Sequence, residues 1–168
     1  FENGVEISVS GELASKPYVD MTLDLMNKFG VEVKNENYQK FIVNRNEYIS
    51  PEIYYIEPDA STASYFLAAT AILSGRVKIL GLGKNSIQGD SYFANILSQM
   101  GCEVKIEDDY IELSSSGELN GIDIDMNKVP DLVPSLAVVA LFAKGKLSGQ
   151  GPACRRLFLQ TAWRTPRW

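Results

Sequence analysis

The chain contains an internal repeat of about 71 residues, and this repeat restricts the possible folds more than any other feature. Leu25–Lys34 aligns with Ile96–Lys105 at an offset of 71 residues. Pro58–Asp59 aligns with Pro130–Asp131 at an offset of 72 residues, and an apolar stretch follows each step. A repeat of this length corresponds to one supersecondary unit, which buries its apolar face against a neighbouring copy. We therefore predict a unit that is used about twice.

The first copy has the pattern of alternating strands and helices. Val5–Ser10 alternates apolar and polar residues, which is typical of a half-buried strand. Ser15 is predicted to be the N-cap of a helix whose apolar residues recur at helical spacing as far as Phe29, and Gly30 ends this helix. The remaining predicted elements are short strands at 31–33 and 41–43 around a polar turn at 35–37, a strand at 53–56 and an apolar helix over 61–73.

The second copy has the same order of elements and supports an α/β fold class. Its predicted elements are strands at 77–80, 102–106, 110–113 and 122–125, an amphipathic helix over 90–100 and an apolar helix over 132–142. The helices over 61–73 and 132–142 are apolar around most of their circumference, which indicates burial on several sides. Two architectures fit this pattern: a lobe with outer sheets and inner helices, or a two-layer α/β sandwich.

Composition excludes several classes of site. The chain has no histidine and two cysteines, Cys102 and Cys154, so neither a zinc site nor a catalytic triad with histidine is expected. Catalysis would have to use carboxylates, lysines, arginines or hydroxyls. No apolar run is long enough to cross a bilayer, and Phe1 does not open a signal peptide, so we expect a cytoplasmic protein whose start lies upstream.

Charge is distributed unevenly along the chain. All 21 acidic residues lie at or before Asp131, whereas the residues after it include six lysines and arginines. An acidic body argues against nucleic acid as the main partner, because phosphate neutralisation needs a concentrated basic surface. Residues 155–168, which end the basic tail 149–168, have no clean helical or strand period. We expect this basic tail to be aberrant, as translation in a shifted reading frame would produce.

Two aspartates precede the apolar helices, and each has two interpretations. A carboxylate at this position can cap the helix by accepting backbone N–H hydrogen bonds, and capping is the favoured interpretation for Asp59. Asp131 follows Asp123 and Asp125 along the chain. Desolvation and nearby charges can tune such an acid for proton transfer, so capping and catalysis are about equally supported for Asp131.

Two further segments have polar groups near a predicted helix start. Ser15, Lys16 and Tyr18 place a hydroxyl, an ammonium and a phenol where free backbone N–H groups favour an anion. The spacing alone is also that of a capping serine followed by a core tyrosine. Gly81–Asp90 lacks the spacing of a phosphate-binding loop, so a structural turn is the favoured interpretation.

Four blocks resemble landmarks of the EPSP synthase (3-phosphoshikimate 1-carboxyvinyltransferase) family, in the family's order and spacing. The blocks are Ser15–Leu23, Asp59–Ala69, Asn85–Asp90 and Ile124–Asp131. The resemblance covers about residues 5–145 and implies an incomplete α/β fold of the enolpyruvyl transferase type, a two-lobed inside-out α/β barrel. It implies three regions: residues 1–57 as the end of the first lobe, 58–148 as the start of the second, and 149–168 as the aberrant tail.

The resemblance also implies a reaction and its residues. In the family, the 5-hydroxyl of shikimate 3-phosphate attacks phosphoenolpyruvate, and phosphate leaves from a tetrahedral intermediate; this step belongs to the shikimate pathway of aromatic amino acid biosynthesis. Ser15 and Tyr18 would help to hold shikimate 3-phosphate. Asp131 would contact this substrate and act in proton transfer, whereas Lys16 is assigned no direct contact. The resemblance implies no metal or organic cofactor, no membrane partner and a monomer at full length.

The chain lacks other parts of the family's pattern. The groups that grip phosphoenolpyruvate would lie before Phe1 or beyond Gly145, so we expect a partial and inactive copy of the transferase. One alternative is a non-catalytic binding or scaffold module that keeps the fold. Another is the related transferase that acts on a UDP-sugar, for which Cys102 is a poor reactive thiol because it follows Gly101 at the start of a strand and is expected to be packed.

Overall fold

A computed structural model describes residues 3–150 and the backbone of 157–160. The chain divides into two compact units, the first ending at Ile56 and the second beginning at Glu57. In the first unit the structure contains β1 (Val5–Ser8), α1 (Lys16–Lys28), β2 (Val33–Glu36) and β3 (Lys40–Val43). These strands form an antiparallel sheet in the order β1-β3-β2.

The second unit contains the remaining elements, which the structure defines as α2 (Ala60–Leu73), β4 (Gly75–Leu80), α3 (Phe93–Gln99), β5 (Glu103–Ile106), β6 (Tyr110–Ser115), β7 (Leu119–Asn120), β8 (Asp123–Asp125), α4 (Val133–Ala140), β9 (Ala143–Lys144), β10 (Lys146–Gln150) and β11 (Leu157–Gln160). Strands β4, β5 and β6 form an antiparallel sheet in the order β4-β6-β5. Strand β10 pairs in parallel with β8 and antiparallel with β11, and β7 pairs in parallel with β9.

The predicted repeat is confirmed by strand topology. In both copies the first strand pairs with the third, the third pairs with the second, and a helix connects the first strand to the second. The apolar helices α2 and α4 end the two copies and pack on each other in the second unit. Their contact includes a buried hydrogen bond between the hydroxyls of Ser64 and Ser135, 2.9 Å apart and 71 residues apart in sequence. Equivalent positions of the two copies therefore meet in the core.

The helix ends follow local chemistry. Gly30 adopts a φ of 82°, which a side chain disfavours, and this left-handed residue ends α1 as predicted. The turn between β2 and β3 lies at residues 37–39, two residues later than predicted, because Asn37 and Tyr38 adopt the positive φ values. Short 3-10 helices at Gly89–Tyr92 and Pro130–Leu132 precede α3 and α4, so both helices begin later than their apolar patterns suggest.

The predicted strand at 53–56 is wrong. The structure has irregular backbone there, and Ile53, Tyr55 and Ile56 are exposed. Its counterpart in the second copy, β8, forms a strand because β10 pairs with it. The described residues of the first unit include no equivalent partner for 53–56, and instead the Tyr54 ring packs against Phe29 with centroids 5.7 Å apart. An extended segment needs a hydrogen-bonding neighbour to become a strand.

The tail contributes one strand to the described structure. The backbone of Leu157–Gln160 pairs with β10. Residues 151–156 and 161–168 lie outside the described residues, so the predicted aberrant origin of 149–168 stays a prediction.

The main core lies in the second unit, between the sheet β4-β6-β5 and helices α2, α3 and α4. Its fully buried side chains include Phe93, Leu97, Leu113, Leu132 and Leu136. Burial of α2 and α4 is one-sided, however, because their outer faces expose aromatic and aliphatic side chains. The prediction that both helices are buried on several sides is therefore wrong for this chain. Across residues 3–150 the structure has no helix long and apolar enough to span a bilayer.

Candidate substrate-binding and catalytic residues

Ser15 occupies the N-cap position of α1 but does not act as a side-chain cap. Its backbone is left-handed, with a φ of 58°, and its hydroxyl makes no capping hydrogen bond. Its carbonyl oxygen instead accepts the N–H of Tyr18 at 3.1 Å, which places both residues in one turn. A left-handed serine costs about 1–2 kcal/mol, and residues held in such conformations cluster at functional sites. Ser15 is therefore the N-cap residue, as predicted, but the predicted side-chain cap is wrong, and the hydroxyl of this half-buried residue makes no capping hydrogen bond.

The side chains near the start of α1 form an ordered polar group. Tyr38 donates a hydrogen bond from its hydroxyl to the Asp20 carboxylate at 2.8 Å, and this hydrogen bond raises the pKa of Tyr38. The ammonium of Lys16 lies 5.0 Å from the centroid of the Tyr38 ring. A cation over an aromatic face is attracted by the ring quadrupole. Lys16 thus has an aromatic partner within its own unit, while Tyr18 lies half-buried in the first turn of α1.

Asp59 is the N-cap of α2, as predicted. Its carboxylate accepts the backbone N–H groups of Ser61 at 3.1 Å and Thr62 at 3.2 Å, together with the Thr62 hydroxyl. The pKa of Asp59 lies below its ordinary value of 3.8, mainly because the Thr62 hydroxyl donates a hydrogen bond to the carboxylate. The two backbone N–H groups lower the pKa further. Asp59 therefore stabilises the start of α2 through its charged form.

Replacing Asp59 with alanine is expected to lower the free energy of unfolding by about 1 kcal/mol at neutral pH, because two helix N–H groups lose their acceptor. The folded-state pKa is lowered, so this contribution is complete above the ordinary carboxyl pKa and is lost as the pH falls through the folded value. Urea unfolding at neutral and acidic pH measures both effects. Asp123→Ala, which removes an exposed acid, is the matched control. If the free energy of unfolding of Asp59→Ala still differed from that of the parent in acid, the assignment of Asp59 as a charged cap would be contradicted.

Asp131 lies in the 3-10 turn that precedes α4. The N-cap residue of α4 is Leu132, and no side chain caps this helix. Asp131 is exposed, whereas its neighbours Val129 and Leu132 are buried, so the turn is anchored in the core and presents the carboxylate at the surface. The capping interpretation of Asp131 does not hold, and the two aspartates of the repeat differ in their surroundings.

The Gly81–Asp90 loop is structural, as favoured by its sequence. A Cβ atom on Gly83 would lie 2.2 Å from the carbonyl oxygen of Glu107, so only glycine fits this close backbone approach. Lys84 forms a 3.2 Å ion pair with Glu107. The loop is thus held against the β5–β6 turn.

Sequence reasoning missed how this loop organises the start of α2. Gln88 accepts the Ala60 N–H at 2.9 Å and donates to the Pro58 carbonyl oxygen at 2.7 Å. Buried Asp90 accepts a hydrogen bond from the Ser61 hydroxyl. The signal was the set of polar side chains within Ser86–Asp90, of which Gln88 accepts the Ala60 N–H that the Asp59 carboxylate does not bind.

Ser86 is the counterpart of Ser15 at the 71-residue offset, and it binds an oxyanion. Its hydroxyl donates to the Glu57 carboxylate at 3.0 Å, and Gln88 donates to the same oxygen at 2.9 Å. The second copy therefore uses the serine of this position to hold a carboxylate supplied by its own chain.

Cys102 is packed, as predicted. It is buried at the start of β5, and desolvation raises the pKa of its thiol above the ordinary value. A raised pKa lowers the thiolate fraction at neutral pH, and the thiolate is the nucleophilic form. A reactive-thiol role for Cys102 is disfavoured.

The structure distributes the predicted site residues over both units. Ser15 and Tyr18 lie together at the start of α1 in the first unit, and Asp131 lies before α4 in the second. Among the described residues there is no cluster of three or more acidic, cysteine or histidine side chains able to hold a metal ion.

Comparison with solved structures identifies the fold. The chain matches the enolpyruvyl transferase NikO from Streptomyces tendae with a TM-score of 0.65 and 15% identity, over 89% of this chain and 36% of that one. It matches EPSP synthase from Acinetobacter baumannii with a TM-score of 0.65 and 21% identity, over 89% of this chain and 35% of the other. The fold is therefore the predicted α/β fold of the enolpyruvyl transferases, present in part.

Sequence comparison gives much higher identities. The chain is 54% identical over 146 residues to the 3-phosphoshikimate 1-carboxyvinyltransferase of Actinobacillus pleuropneumoniae serotype 5b, which covers 86% of this chain and 33% of that protein. It is 55% identical over 146 residues to the protein of the same name from Haemophilus influenzae strain PittGG, with the same coverage. The chain spans about a third of the length of these relatives. The family model for EPSP synthase (3-phosphoshikimate 1-carboxyvinyltransferase) matches residues 1–156, and the chain belongs to the EPSP synthase family.

Proposed function

We propose that the chain carries part of the site that transfers the enolpyruvyl group of phosphoenolpyruvate to the 5-hydroxyl of shikimate 3-phosphate. The observation that carries this proposal is the 54% identity to proteins named for that activity. Because the chain spans about a third of their length, groups from the remaining two thirds are needed to surround the reacting atoms. The 168-residue chain by itself is expected to be an inactive partial copy.

Ser15 and Tyr18 are proposed to hold shikimate 3-phosphate. The Ser15 hydroxyl makes no capping hydrogen bond, and Ser15 is the N-cap residue of α1, whose N-terminal dipole favours an anion. Ser86, its repeat counterpart, supports this role by donating to the Glu57 carboxylate. The same position can thus offer a hydroxyl to an oxyanion in either copy.

Asp131 is proposed to act in proton transfer. As the 5-hydroxyl oxygen bonds to C2 of phosphoenolpyruvate, its proton passes to a carboxylate, and C3 receives a proton from an acid. In the second step the C2–O bond to phosphate breaks, C3 loses a proton, and the enol ether forms. Asp131 suits the first transfer because a turn anchored by buried Val129 and Leu132 presents its carboxylate at the surface.

The lobe boundaries, the cellular location, the oligomeric state and the cofactor requirement are proposed from the resemblance to the family. We propose that residues 1–57 belong to the first lobe of the family fold and 58–148 to the second, with 149–168 as a tail foreign to it. The full-length protein is proposed to be a cytoplasmic monomer that needs no metal or organic cofactor. A scaffold role without catalysis is the alternative, and substrate turnover distinguishes the two.

A chimaera tests the proposal directly. The 146 matching residues of this chain replace their counterparts in the Actinobacillus pleuropneumoniae relative, which supplies the rest of the polypeptide. Phosphate release from phosphoenolpyruvate in the presence of shikimate 3-phosphate is then measured for the chimaera, the relative and the 168-residue chain. Turnover by the chimaera and none by the chain is expected. A folded chimaera that binds shikimate 3-phosphate without turnover would favour the scaffold alternative.

In the active chimaera, Ser15→Ala and Tyr18→Phe are each expected to raise KM for shikimate 3-phosphate by roughly 10-fold or more, because a hydrogen bond to a charged group contributes about 1.5–3 kcal/mol. KM for phosphoenolpyruvate should change little. Thr22→Ala is the matched control, since the Thr22 hydroxyl lies one turn later on α1 and donates to the Tyr18 carbonyl oxygen. An unchanged KM in both variants would remove Ser15 and Tyr18 from the site.

A further inference from the structure

The second unit contains a connected set of buried polar groups close in sequence to Asp131. Three polar or charged side chains are buried in the described part of the chain, Ser64, Asp90 and Ser135, with exposed fractions of 1%, 3% and 7%. Together with half-buried Ser61 they form one set of hydrogen bonds, which we call the serine network. Buried polar groups cost free energy unless they are paired, and a paired network makes a core rigid and specifies its arrangement.

The hydroxyl groups of the serine network donate in one direction. Ser64 donates to the Ser61 carbonyl oxygen at 2.6 Å. Because a hydroxyl has one proton, the 2.9 Å hydrogen bond between Ser64 and Ser135 is donated by Ser135. The Ser61 hydroxyl in turn donates to the Asp90 carboxylate. The network therefore runs from the first turn of α4, through the start of α2, to the 3-10 turn that precedes α3.

Ser135 supplies the directional contact at the start of α4. It is the only polar residue in the sequence of this helix, and no side chain caps the helix. Burial of the other, apolar side chains stabilises the packing but is non-directional. A single buried polar contact can fix the register of two packed helices, as a core asparagine does in coiled coils. The hydrogen bond from Ser135 to Ser64 therefore sets the position of α4 along α2.

The position of α4 determines where the Asp131 carboxylate lies. Asp131 is four residues before Ser135, in the 3-10 turn Pro130–Leu132 that leads directly into α4. The backbone is helical through the turn and α4, so a shift or rotation of the first turn of α4 displaces Asp131 with it. Helix α2 packs against this 3-10 turn as well. Proton transfer requires hydrogen-bond reach, and a misplacement of about 1 Å can lower a rate by roughly 10²-fold.

We propose that Ser135 is a positioning residue for Asp131 and that it acts through its hydrogen bond to Ser64. The inference rests on the proposed function, in which Asp131 accepts the proton of the 5-hydroxyl. Ser135 touches no substrate in this scheme. It holds α4 on α2, and α4 sets where the Asp131 carboxylate stands when shikimate 3-phosphate binds. Loss of the Ser135 hydroxyl should therefore slow turnover and change substrate affinity much less.

The test measures kcat and KM in the active chimaera for Ser135→Ala, Asp131→Asn and the double variant. Ser135→Ala is expected to lower kcat by roughly 10–10²-fold and to change KM for shikimate 3-phosphate by less than about 2-fold. In the Asp131→Asn background, Ser135→Ala should have almost no further effect on kcat, because no proton acceptor is left to position. A loss of folded protein alone would lower kcat equally in both backgrounds.

Ser115→Ala is the matched control. The Ser115 hydroxyl also binds α2, donating to the Ala71 carbonyl oxygen at 2.9 Å, but near the opposite end of the helix from Ser64. Its removal should leave kcat within about 2-fold of the parent chimaera. Ser64→Ala removes the acceptor of Ser135, is expected to reproduce the loss of kcat, and provides the test if Ser135→Ala does not fold. Circular dichroism checks the folding of each variant.

Full kcat in folded Ser135→Ala and Ser64→Ala chimaeras overturns the inference. Equal losses from Ser135→Ala in both backgrounds also overturn it, because Ser135 then acts independently of Asp131, and so does an equal loss in Ser115→Ala. These results leave the role of Asp131 intact as long as Asp131→Asn lowers kcat. An inactive chimaera, or an Asp131→Asn chimaera with full kcat, rejects the proposed function itself, and the positioning role of Ser135 is rejected with it.

Discussion

In the active chimaera, Asp131→Asn is expected to lower kcat by about 10²–10⁴-fold, which is the range that a positioned proton-transfer group contributes. Asparagine keeps the size and hydrogen-bonding reach of aspartate but cannot accept the proton of the 5-hydroxyl. The affinity for shikimate 3-phosphate should fall much less than kcat. Steady-state phosphate release gives kcat, and equilibrium binding of shikimate 3-phosphate to the variant gives the affinity.

Asp123→Asn is the matched control for Asp131→Asn. Asp123 is also an exposed aspartate, it lies eight residues earlier, and its strand β8 is in the same unit. Its substitution should leave kcat within a few-fold of the parent chimaera. If Asp131→Asn and Asp123→Asn behave alike, Asp131 is not the proton-transfer group, even if the chimaera is active.

Phe93→Ala is expected to lower the free energy of unfolding of the 168-residue chain by about 3–5 kcal/mol, as for other large-to-small core substitutions of phenylalanine. The Phe93 side chain is 0% exposed at the start of α3 and packs in the core of the second unit. Truncation removes its transfer free energy and leaves a cavity that the surrounding helices cannot fully close. Because a typical domain is stable by only about 5–15 kcal/mol, a large unfolded fraction is expected.

Tyr92→Ala is the control for Phe93→Ala. Tyr92 precedes Phe93 and is also aromatic, but it is 46% exposed. Its truncation should cost well under half as much, because less apolar surface is removed from the core. The free energies of unfolding of the parent and both variants are measured by chemical denaturation at one protein concentration. If Phe93→Ala and Tyr92→Ala lowered the free energy of unfolding by similar amounts, α3 would be packed differently from the structure.

Local patterns in the sequence predicted much of the fold. The repeat, the strand–helix order and the end of α1 at Gly30 are all found, because periodicity and the φ preference of glycine act within a few residues. Capping by Asp59 also follows from local chemistry, since the N–H groups that donate to its carboxylate lie two and three residues ahead. The predictions failed where the outcome depends on distant segments or on an unusual local backbone conformation. The segment 53–56 has no strand partner, and Ser15 adopts a left-handed backbone that removes its side-chain cap.

The sequence by itself determined the α/β class, the doubled unit and the family resemblance, which the family model and the identities confirmed. Tertiary structure decided which apolar surfaces are covered. An apolar helix has the same sequence signature whether one side or several are buried, and only the positions of neighbouring elements show that α2 and α4 keep an exposed face. Tertiary structure also showed that Gln88 and Asp90 bind the start of α2. These hydrogen bonds join residues about 30 positions apart in the chain, and side-chain hydrogen bonds over such separations leave no periodic pattern in the sequence.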